Sequence, residues 1–223
     1  MLDALKDLIR PIIRPPLHRP EIKLPYRVYG TRYGAWPLLN RDRSPVMLSF
    51  GVGEDISFDL EAIKLGITVH AFDPTPRCHA WIAKQTLPPA FNFHPYGIAA
   101  EDGHAEFYPP ADPKHVSYSA QAGVGQSGSA VSIPVFRLGT IVDRLNMSAV
   151  DTLKLDIEGF EYDVVEDLIQ NGPLPTELLI EFHHSMYGYE SEATQSAVSK
   201  LGSVGYKLYY VSASGHEYAF VRQ

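Results

Sequence analysis

The order of short apolar runs and amphipathic segments after residue 45 constrains the fold of this chain most strongly. Val46 to Gly51 and Ile67 to Phe72 have the composition of buried strands, and the intervening segment 54–65 places its apolar side chains on one helical face. Parallel strands need such a helical crossover, and the helices then cover both faces of the sheet. The sequence therefore predicts an α/β fold with a doubly wound, Rossmann-like sheet.

The same alternation continues to the C-terminus. Further strands are expected over 91–96, 105–108, 132–136, 150–157 and 177–182. Further helices are expected near 76–86, 162–169 and 191–201. The last two apolar runs, Tyr206 to Val211 and Glu217 to Val221, flank a Ser-Ala-Ser-Gly turn and predict a hairpin. The predicted sheet is thus mostly parallel and closes with a C-terminal antiparallel hairpin.

Charge divides the chain into two parts. Residues 1–43 hold nine Lys/Arg and four Asp/Glu, whereas residues 44–223 hold ten and twenty-two. We therefore predict an N-terminal basic arm over 1–43, with a short helix over 2–10, and one domain over 44–223. The acidic domain excludes a nucleic-acid binder that neutralises phosphates, so no nucleic-acid partner is expected. The arm is predicted at most to make weak contact with a membrane surface or an acidic partner.

Cysteine content and hydropathy indicate the compartment. Cys78 is the single cysteine, so no intramolecular disulfide forms. No stretch approaches the roughly 20 uninterrupted apolar residues of a membrane helix, so no integral membrane segment is expected. The charged residues among the first fourteen positions are atypical of a secretory signal. The sequence predicts a cytoplasmic protein.

A glycine-containing turn and an acidic residue predict a nucleoside site. Gly51 and Gly53 lie where the first strand turns into the first helix, and Asp73 follows the second strand, 22 residues after Gly51. Glycines let the backbone approach a ligand closely, and a carboxylate at the second strand end accepts hydrogen bonds from ribose hydroxyls. The alternative is purely structural, with Asp73 as a turn or helix-capping residue. Together the two features favour an adenosine-containing ligand.

The residues after the turn separate two classes of cofactor. A dinucleotide fingerprint needs a third glycine, where this chain has Ile56 or its neighbours. Glu54 and Asp55 also place negative charge at the helix start, where a pyrophosphate would lie. S-adenosylmethionine carries no phosphate and has a cationic sulfonium and an amino group. Acidic neighbours therefore favour S-adenosylmethionine.

The string Lys154-Leu-Asp-Ile-Glu-Gly-Phe-Glu161 is the most specific motif in the chain. It lies about a hundred residues after the glycine turn and follows an Ala-Phe-Asp-Pro segment at the second strand end. In this order the motifs resemble the FkbM-type methyltransferases, S-adenosylmethionine-dependent enzymes that mostly act as O-methyltransferases of sugars and natural products. The resemblance runs from about Gly30 to the C-terminus and implies that 44–223 is a methyltransferase domain.

The resemblance also implies a set of cofactor contacts. Asp73 would take the ribose hydroxyls, Asp156 would lie beside the transferring methyl group, and Tyr33 to Trp36 would close over the cofactor. Many relatives have an acid two residues before the first glycine, where this chain has Ser49, so Glu54 or Asp55 is expected to contact the amino group. The predicted cofactor-binding residues are Trp36, Phe50, Gly51, Gly53, Glu54, Asp55, Asp73, Pro74 and Asp156.

The predicted catalytic residues are His183, His184, Asp156 and Glu158. A hydroxyl acceptor must lose its proton as the methyl bond forms, and a histidine is a natural base near neutral pH. Either histidine is a candidate, oriented by Glu181 or Glu158, and the alternative is that they only cap the strand. No metal is expected; the less favoured alternative is a divalent ion on Asp156, Glu181 and His183.

The sequence therefore predicts an S-adenosylmethionine-dependent methyltransferase that O-methylates a hydroxyl of a sugar or secondary metabolite, with a small-molecule acceptor as its partner. Tyr187 and Tyr189 are candidates for the floor of the acceptor site. Two other functions remain open: a nicotinamide-dependent oxidoreductase or epimerase, and a non-catalytic binding module on the same fold.

Overall fold

The computed structural model describes residues 16–32, 34–40, 46–109, 129–184, 186 and 188–223. Within these residues the strands are β1 Tyr26–Tyr29, β2 Trp36–Leu39, β3 Val46–Phe50, β4 Thr68–Phe72, β5 Phe91–His94, β6 Gly97–Ile98, β7 Gly103–Phe107, β8 Val131–Phe136, β9 Thr152–Leu155, β10 Glu177–Glu181, β11 Tyr206–Val211 and β12 Glu217–Arg222. The helices there are α1 Ser57–Lys64, α2 Pro76–Ile82, α3 Leu138–Arg144, α4 Glu161–Asn171 and α5 Ser191–Ser203. None of these helices is long and apolar enough to cross a bilayer. The helix predicted over 2–10 and the Gly/Ser-rich segment 117–128 lie outside the described residues.

Seven strands form the central sheet, in the order β11-β12-β10-β9-β3-β4-β5. The strands from β10 to β5 run parallel, whereas β12 pairs antiparallel with β10, and β11 antiparallel with β12. The predicted α/β class with a mixed sheet is confirmed. The chain moves outward from β3 through β4 to β5 and then returns to the other side of β3 with β9. The carboxyl ends of β3 and β9 therefore flank the point where the strand order reverses, which is where ligands bind in open α/β sheets.

Alternation along β3 shows why the sheet is covered on both faces. Leu48 and Phe50 pack into one apolar cluster with side chains of α3, α4 and α5. Met47 packs into a second cluster with Phe58 of α1 and Ile82 of α2. Successive side chains of a strand point to opposite faces, so this short apolar strand supplies both cores. The carboxyl end of β3 is thereby held rigidly from both sides.

A hairpin of β1 and β2 was not predicted from the sequence. The two strands pair antiparallel, and Trp36 and Leu38 are buried in the same cluster as Met47. The backbone N–H of Leu39 donates to Oε1 of Glu177 at 3.0 Å, which ties the hairpin to β10. Part of the predicted basic arm thus packs on the main sheet, while the division of the chain at residue 43 stays a prediction.

A second, three-stranded sheet and one helix complete the architecture. β7 and β8, which overlap the strands expected over 105–108 and 132–136, pair antiparallel, and β8 also pairs in parallel with the two-residue strand β6. Helix α3 follows β8 directly and buries Leu138, Ile141 and Val142. The sequence did not predict this helix, because its seven residues include Gly139 and Thr140, which are poor helix formers.

Candidate active site

A cavity of about 510 Å³ opens at the carboxyl edge of the parallel strands. The turns after β3, β4, β9 and β10 form its rim, and Phe58, Phe107 and Phe160 contribute to its walls. A volume of this size is typical of small-molecule sites. The structure brings all predicted cofactor contacts to this cavity: Trp36, Phe50, Gly51, Gly53, Glu54, Asp55, Asp73, Pro74 and Asp156.

Gly51 is required by a close approach of two turns. Its φ is +78°, and a Cβ at this position would lie 1.6 Å from the backbone oxygen of Asp156. Its N–H donates to the carbonyl of Phe72 at 3.0 Å. A side chain here would push the turn after β3 away from the turn after β9. The glycine therefore joins the two halves of the cavity, a role that the sequence analysis did not assign to it.

Asp73 is a buried carboxylate that organises the turn after β4. Its Oδ2 accepts the N–H of Gly53 at 2.9 Å, and its Oδ1 accepts the N–H and hydroxyl of Thr75 at 2.9 and 2.6 Å. Thr75 in turn caps α2 by accepting the N–H of Cys78. A carboxylate has about four acceptor directions and three are occupied here, so Asp73 fixes the turn and keeps one acceptor direction, on Oδ2, for a ligand. The structural and ligand-binding interpretations of Asp73 are thus compatible.

The two acids at the start of α1 already have partners. The guanidinium of Arg77 donates to both carboxylate oxygens of Glu54, at 2.9 and 3.2 Å, and this hydrogen bonding lowers the pKa of Glu54. Asp55 accepts the hydroxyl of Thr31 and, at 2.9 Å, the N–H of Ser57. Burial alone would raise the pKa of Asp55, but these hydrogen bonds outweigh burial and lower it.

Asp59 is a cavity residue that the sequence analysis missed. It lies on α1, lines the cavity and is only 2% exposed. Burial raises its pKa to about 6, against the opposing effect of the positive charge of Lys154. Ser49 on β3 is buried, and Asp59 supplies a carboxyl from the adjacent helix. The signal in the sequence was an acid on the otherwise apolar face of α1.

Lys154 is a buried ammonium beneath the cavity. Its Nζ donates to the backbone oxygens of Phe50 and Gly51 at 3.2 and 2.8 Å and lies 3.6 Å from Oδ2 of Asp156. It also lies 5.4 Å from the centre of the Trp36 ring. A buried charge needs such partners, and here they cross-link β9 to the end of β3. Lys154 therefore stabilises the base of the site.

The turn after β9 is tightly bent by two residues with positive φ. Glu158 has φ +53°, which is uncommon for a residue with a side chain, and Gly159 has φ +108°. The carboxylate of Glu161, at the start of α4, accepts the N–H of Ile157 and of Gly159, each at 3.0 Å. The bend places the side chains of Asp156 and Glu158 on the same cavity.

His183 follows β10 and lies at the same end of the cavity. The residue is 3% exposed, and its Nδ1 is 2.8 Å from Oε1 of the fully buried Glu161. Its Nε2 is 3.3 Å from Oε2 of Glu158. Burial alone would lower the pKa of His183, but the hydrogen bond and charge of Glu161, with the charges of Glu158 and Asp156, raise it to about 10. Glu161, which the sequence analysis named only as the last residue of the Lys154 to Glu161 string, is the residue that orients the ring.

Glu181 lines the cavity beside this group. Burial and the charge of Asp156 raise its pKa to about 9, which favours the neutral acid at pH 7. Within the described chain, the residues whose potential metal-ligand atoms lie within 4.8 Å of one another are Asp156, Glu158 and His183. The metal alternative considered from the sequence named Glu181 where this group contains Glu158.

His184 does not line the cavity, contrary to its prediction as a catalytic base. Its Nδ1 is hydrogen-bonded to Oγ1 of Thr194 at 3.2 Å, and its ring stacks on His216 with centroids 4.5 Å apart. Burial and the nearby charge of His216 lower its pKa to about 4. The chain passes from β10 toward α5 here, so His183 and His184 point to different environments. Of the two histidines, His183 is the one in the site.

Of the predicted contacts in the segment 33–36 and at the two tyrosines, some line the cavity and others do not. Gly34 and Trp36 line the cavity, whereas Tyr33 lies outside the described residues. Tyr189 packs against Tyr162 with ring centroids 4.4 Å apart and does not line the cavity. Tyr187 lies outside the described residues. Tyr189 is therefore not the floor of this cavity.

Two curated proteins match about two thirds of this chain in sequence. The protein named "Probable methyltransferase-like protein 24" of Rattus norvegicus is 28% identical over 155 residues, covering 68% of this chain and 36% of the relative. Its namesake from Homo sapiens is 26% identical over 161 residues, covering 71% of this chain and 38% of the relative. The chain thus spans less than two fifths of the length of these curated relatives.

A solved structure and a family model give two further matches. The crystal structure of Methyltransferase FkbM from Methylobacillus flagellatus KT has 15% sequence identity and a TM-score of 0.49, covering 83% of this chain and 45% of that chain. The model of the Methyltransferase FkbM domain matches residues 35–208. That match contains β2, β3, both glycines of the first turn and the whole acidic turn after β9. Because it covers well over half of the 223 residues, the chain belongs to the FkbM methyltransferase domain family.

Proposed function

We propose that this protein is an S-adenosylmethionine-dependent methyltransferase that methylates a hydroxyl oxygen of a small molecule such as a sugar or secondary metabolite. The observation that carries the proposal is that Asp73 and Asp156 line one cavity of about 510 Å³. Family membership supports the class of reaction. The proposal includes a doubly wound, Rossmann-like methyltransferase sheet, which the reversal of strand order at β3 supports.

The donor end of the cavity is formed by the turns after β3 and β4. We assign the ribose hydroxyls to the carboxylate of Asp73, whose orientation is fixed by Gly53 and Thr75. Pro74, Ile98 and Phe72 provide apolar surface next to Asp73 for the adenine ring. When bound, S-adenosylmethionine supplies an electrophilic methyl group on a sulfonium. The residues present fit this cofactor, since they offer a hydrogen-bonding carboxylate flanked by apolar surface.

The charge of the lining favours a cationic cofactor over a dinucleotide. Lys154 is the one Lys or Arg among the described residues that line the cavity. The lining acids are Glu54, Asp55, Asp59, Asp73, Asp156, Glu158 and Glu181. A pyrophosphate would meet several of these charges, whereas a sulfonium and an ammonium are attracted by them. Arg77 holds both carboxylate oxygens of Glu54. Asp55 and Asp59 are therefore the candidate contacts for the ammonium of the cofactor.

The acceptor end of the cavity is formed by Asp156, Glu158 and His183. In methyl transfer the oxygen–carbon bond forms as the carbon–sulfur bond breaks, and the electron pair of that bond stays on sulfur. The hydroxyl proton must leave as the new bond forms, and the carboxylates of Asp156 and Glu158 are the groups positioned to take it, because the raised pKa of His183 keeps its ring protonated near pH 7. Glu161 keeps the ring of His183 in one orientation and is a positioning residue.

Calorimetric titration with S-adenosylmethionine and S-adenosylhomocysteine tests the proposal. Wild type should bind both. Asp73→Asn should lower the affinity for S-adenosylhomocysteine roughly 10- to 100-fold, because hydrogen bonds to a charged group contribute about 1.5–3 kcal/mol each. Asp143→Asn is the matched control, since Asp143 is exposed on α3 and does not line the cavity.

Three outcomes would contradict parts of the proposal. No heat with either ligand in the wild type would overturn it. Binding of NADH with no binding of S-adenosylhomocysteine would instead support the oxidoreductase or epimerase alternative. Cofactor binding without methyl transfer to any member of a broad panel of hydroxyl acceptors would support a non-catalytic binding module.

A further inference from the structure

We propose that Asp156, Glu158 and His183 form a binding site for one divalent metal ion at the acceptor end of the cavity. Each residue offers one ligand atom, and these atoms all lie within 4.8 Å of one another. An octahedral ion with bonds of about 2.1 Å separates its ligand atoms by about 3.0 Å when adjacent and 4.2 Å when opposite. The distance of 3.3 Å between Nε2 of His183 and Oε2 of Glu158 is close to the adjacent separation.

The orientation of His183 is the second observation that supports a metal site. A histidine that binds a metal with one nitrogen usually donates from the other nitrogen to a carboxylate, which fixes the ring and its tautomer. Here Nδ1 lies 2.8 Å from the carboxylate of Glu161, so Nε2 is the nitrogen that faces Asp156 and Glu158. Glu161 is itself held by the N–H groups of Ile157 and Gly159. The buried ring is thus held by a rigid support and directed toward the acidic cluster.

The excess of carboxylates gives an electrostatic reason for a cation. Asp156 and Glu158 line this end of the cavity beside the neutral acid of Glu181, and Glu161 lies behind it. Lys154 is 3.6 Å from Asp156, but its Nζ is engaged with two backbone oxygens. Carboxylates crowded in a partly enclosed site repel one another, and a divalent ion relieves this repulsion. The left-handed φ of Glu158 indicates that its position in the cluster is maintained at a cost in backbone energy.

The donor set indicates the class of metal. Two carboxylates favour hard ions such as Mg²⁺ and Mn²⁺, whereas imidazole favours later first-row metals. Mn²⁺ accepts both donor types, so we expect it to bind well. Three protein ligands leave positions for water or for adjacent hydroxyls of an acceptor. An ion that binds a hydroxyl lowers its pKa and positions the oxygen, and this role, unlike ion binding itself, rests on the proposed function.

Titration of the chelator-treated protein with Mn²⁺, followed by electron paramagnetic resonance of the free ion, tests the site. We expect one ion per wild-type chain and a loss of affinity of at least tenfold in Glu158→Gln and Asp156→Asn. Pulsed measurements on the bound ion should detect coupling to a ¹⁴N nucleus in wild type and should lose it in His183→Ala. Glu101→Gln is the control, because Glu101 belongs to a second acidic depression with Asp102 and Asp163 and should leave affinity unchanged.

Several results would overturn the metal proposal. These are the absence of Mn²⁺ binding at millimolar concentration, binding that Glu158→Gln leaves intact, and a bound ion without nitrogen coupling. Circular dichroism of each variant establishes that it is folded, and Glu158→Gln is the most tolerant substitution because its side chain is partly exposed. S-adenosylhomocysteine binding by the metal-free protein, with no Mn²⁺ binding, would refute the metal site and leave the methyltransferase proposal standing. Mn²⁺ binding with no S-adenosylhomocysteine binding would leave the metal site standing and refute the methyltransferase proposal.

Discussion

The two ends of the cavity differ in how their carboxylates are balanced. At the donor end, Asp73 accepts from Gly53 and Thr75, and Glu54 is paired with Arg77. At the acceptor end, Asp156 and Glu158 lie close to each other and to His183, with Glu161 behind them. Most carboxylate oxygens at the donor end are hydrogen-bonded by the protein itself, so this end is preorganised before a ligand binds. The acceptor end concentrates charge, which is typical of sites where a proton or a cation moves.

The largest expected effect separates the two histidines after β10. His183→Ala should lower methyl-transfer turnover by about 10²- to 10⁴-fold, because the ring lies at the acceptor end beside the Glu158 carboxylate and is a ligand in the proposed metal site. His184→Ala, the matched control, should stay within a few-fold of wild type, because His184 contacts Thr194 and His216 away from the cavity. Turnover is measured as S-adenosylhomocysteine release over a panel of hydroxyl acceptors. Equal losses of turnover in both variants would contradict the placement of His183 inside the site and His184 outside it.

The next effect tests the junction between the two ends. Gly51→Ala places a Cβ 1.6 Å from the carbonyl oxygen of Asp156 at a φ of +78°, so we expect a loss of about 3–4 kcal/mol in the free energy of unfolding, measured by urea titration. Gly202→Ala is the control. Gly202 lies in α5, and apart from its chain neighbours and the nearby helix backbone no described atom lies within 4 Å of the added Cβ, so the change should stabilise by about 0.5–1 kcal/mol. A neutral Gly51→Ala would show that the two turns are not in close contact.

Asp59 is the exception at the donor end, since burial raises its pKa from 3.8 to about 6. The folded state then keeps the proton to a higher pH than the unfolded state, so this group's contribution to stability is present below pH 4 and is lost as pH rises to about 6. The difference corresponds to about 3 kcal/mol. Urea titrations should therefore show Asp59→Asn gaining stability relative to wild type as pH rises from 4 to 7. A difference that is independent of pH would show that the carboxyl is not buried as described.

The smallest expected effect concerns Glu54. Because Arg77 holds its carboxylate at the cavity rim, where both side chains are about one third exposed, Glu54→Gln should change S-adenosylhomocysteine affinity less than about fivefold. Calorimetric titration of both variants with S-adenosylhomocysteine compares the loss of affinity in Glu54→Gln with that in Asp73→Asn. A loss as large as that of Asp73→Asn would mean that Glu54 leaves Arg77 to bind the ammonium.

Residues at strand ends were the predictable part of this site. Apolar runs located β3, β4 and β9, and parallel strands bring their carboxyl ends to one edge, so Gly51, Asp73 and Asp156 could be assigned to one site. The string around Asp156 and Glu158 indicated the family to which the chain is similar. The same reasoning located the main sheet, because the period of apolar residues follows from burial on one or both faces.

Contacts between distant residues were not predictable. Glu161 and His183 are 22 residues apart, and their pairing depends on the bend at Glu158 and the start of α4. The opposite environments of His183 and His184 depend on how the chain leaves β10. The burial of Trp36 depends on a hairpin whose strands have only four residues each. Such features follow from tertiary packing, for which the local sequence carries no periodic signal.

The central claim is that the donor end binds the nucleoside of S-adenosylmethionine and directs its sulfur toward the acidic acceptor end. A crystal structure of the protein with S-adenosylhomocysteine tests this claim most directly. The account predicts ribose hydroxyls on the carboxylate of Asp73 and the ligand sulfur facing Asp156. A ligand bound elsewhere, or a cavity that stays empty at saturating ligand, would contradict it.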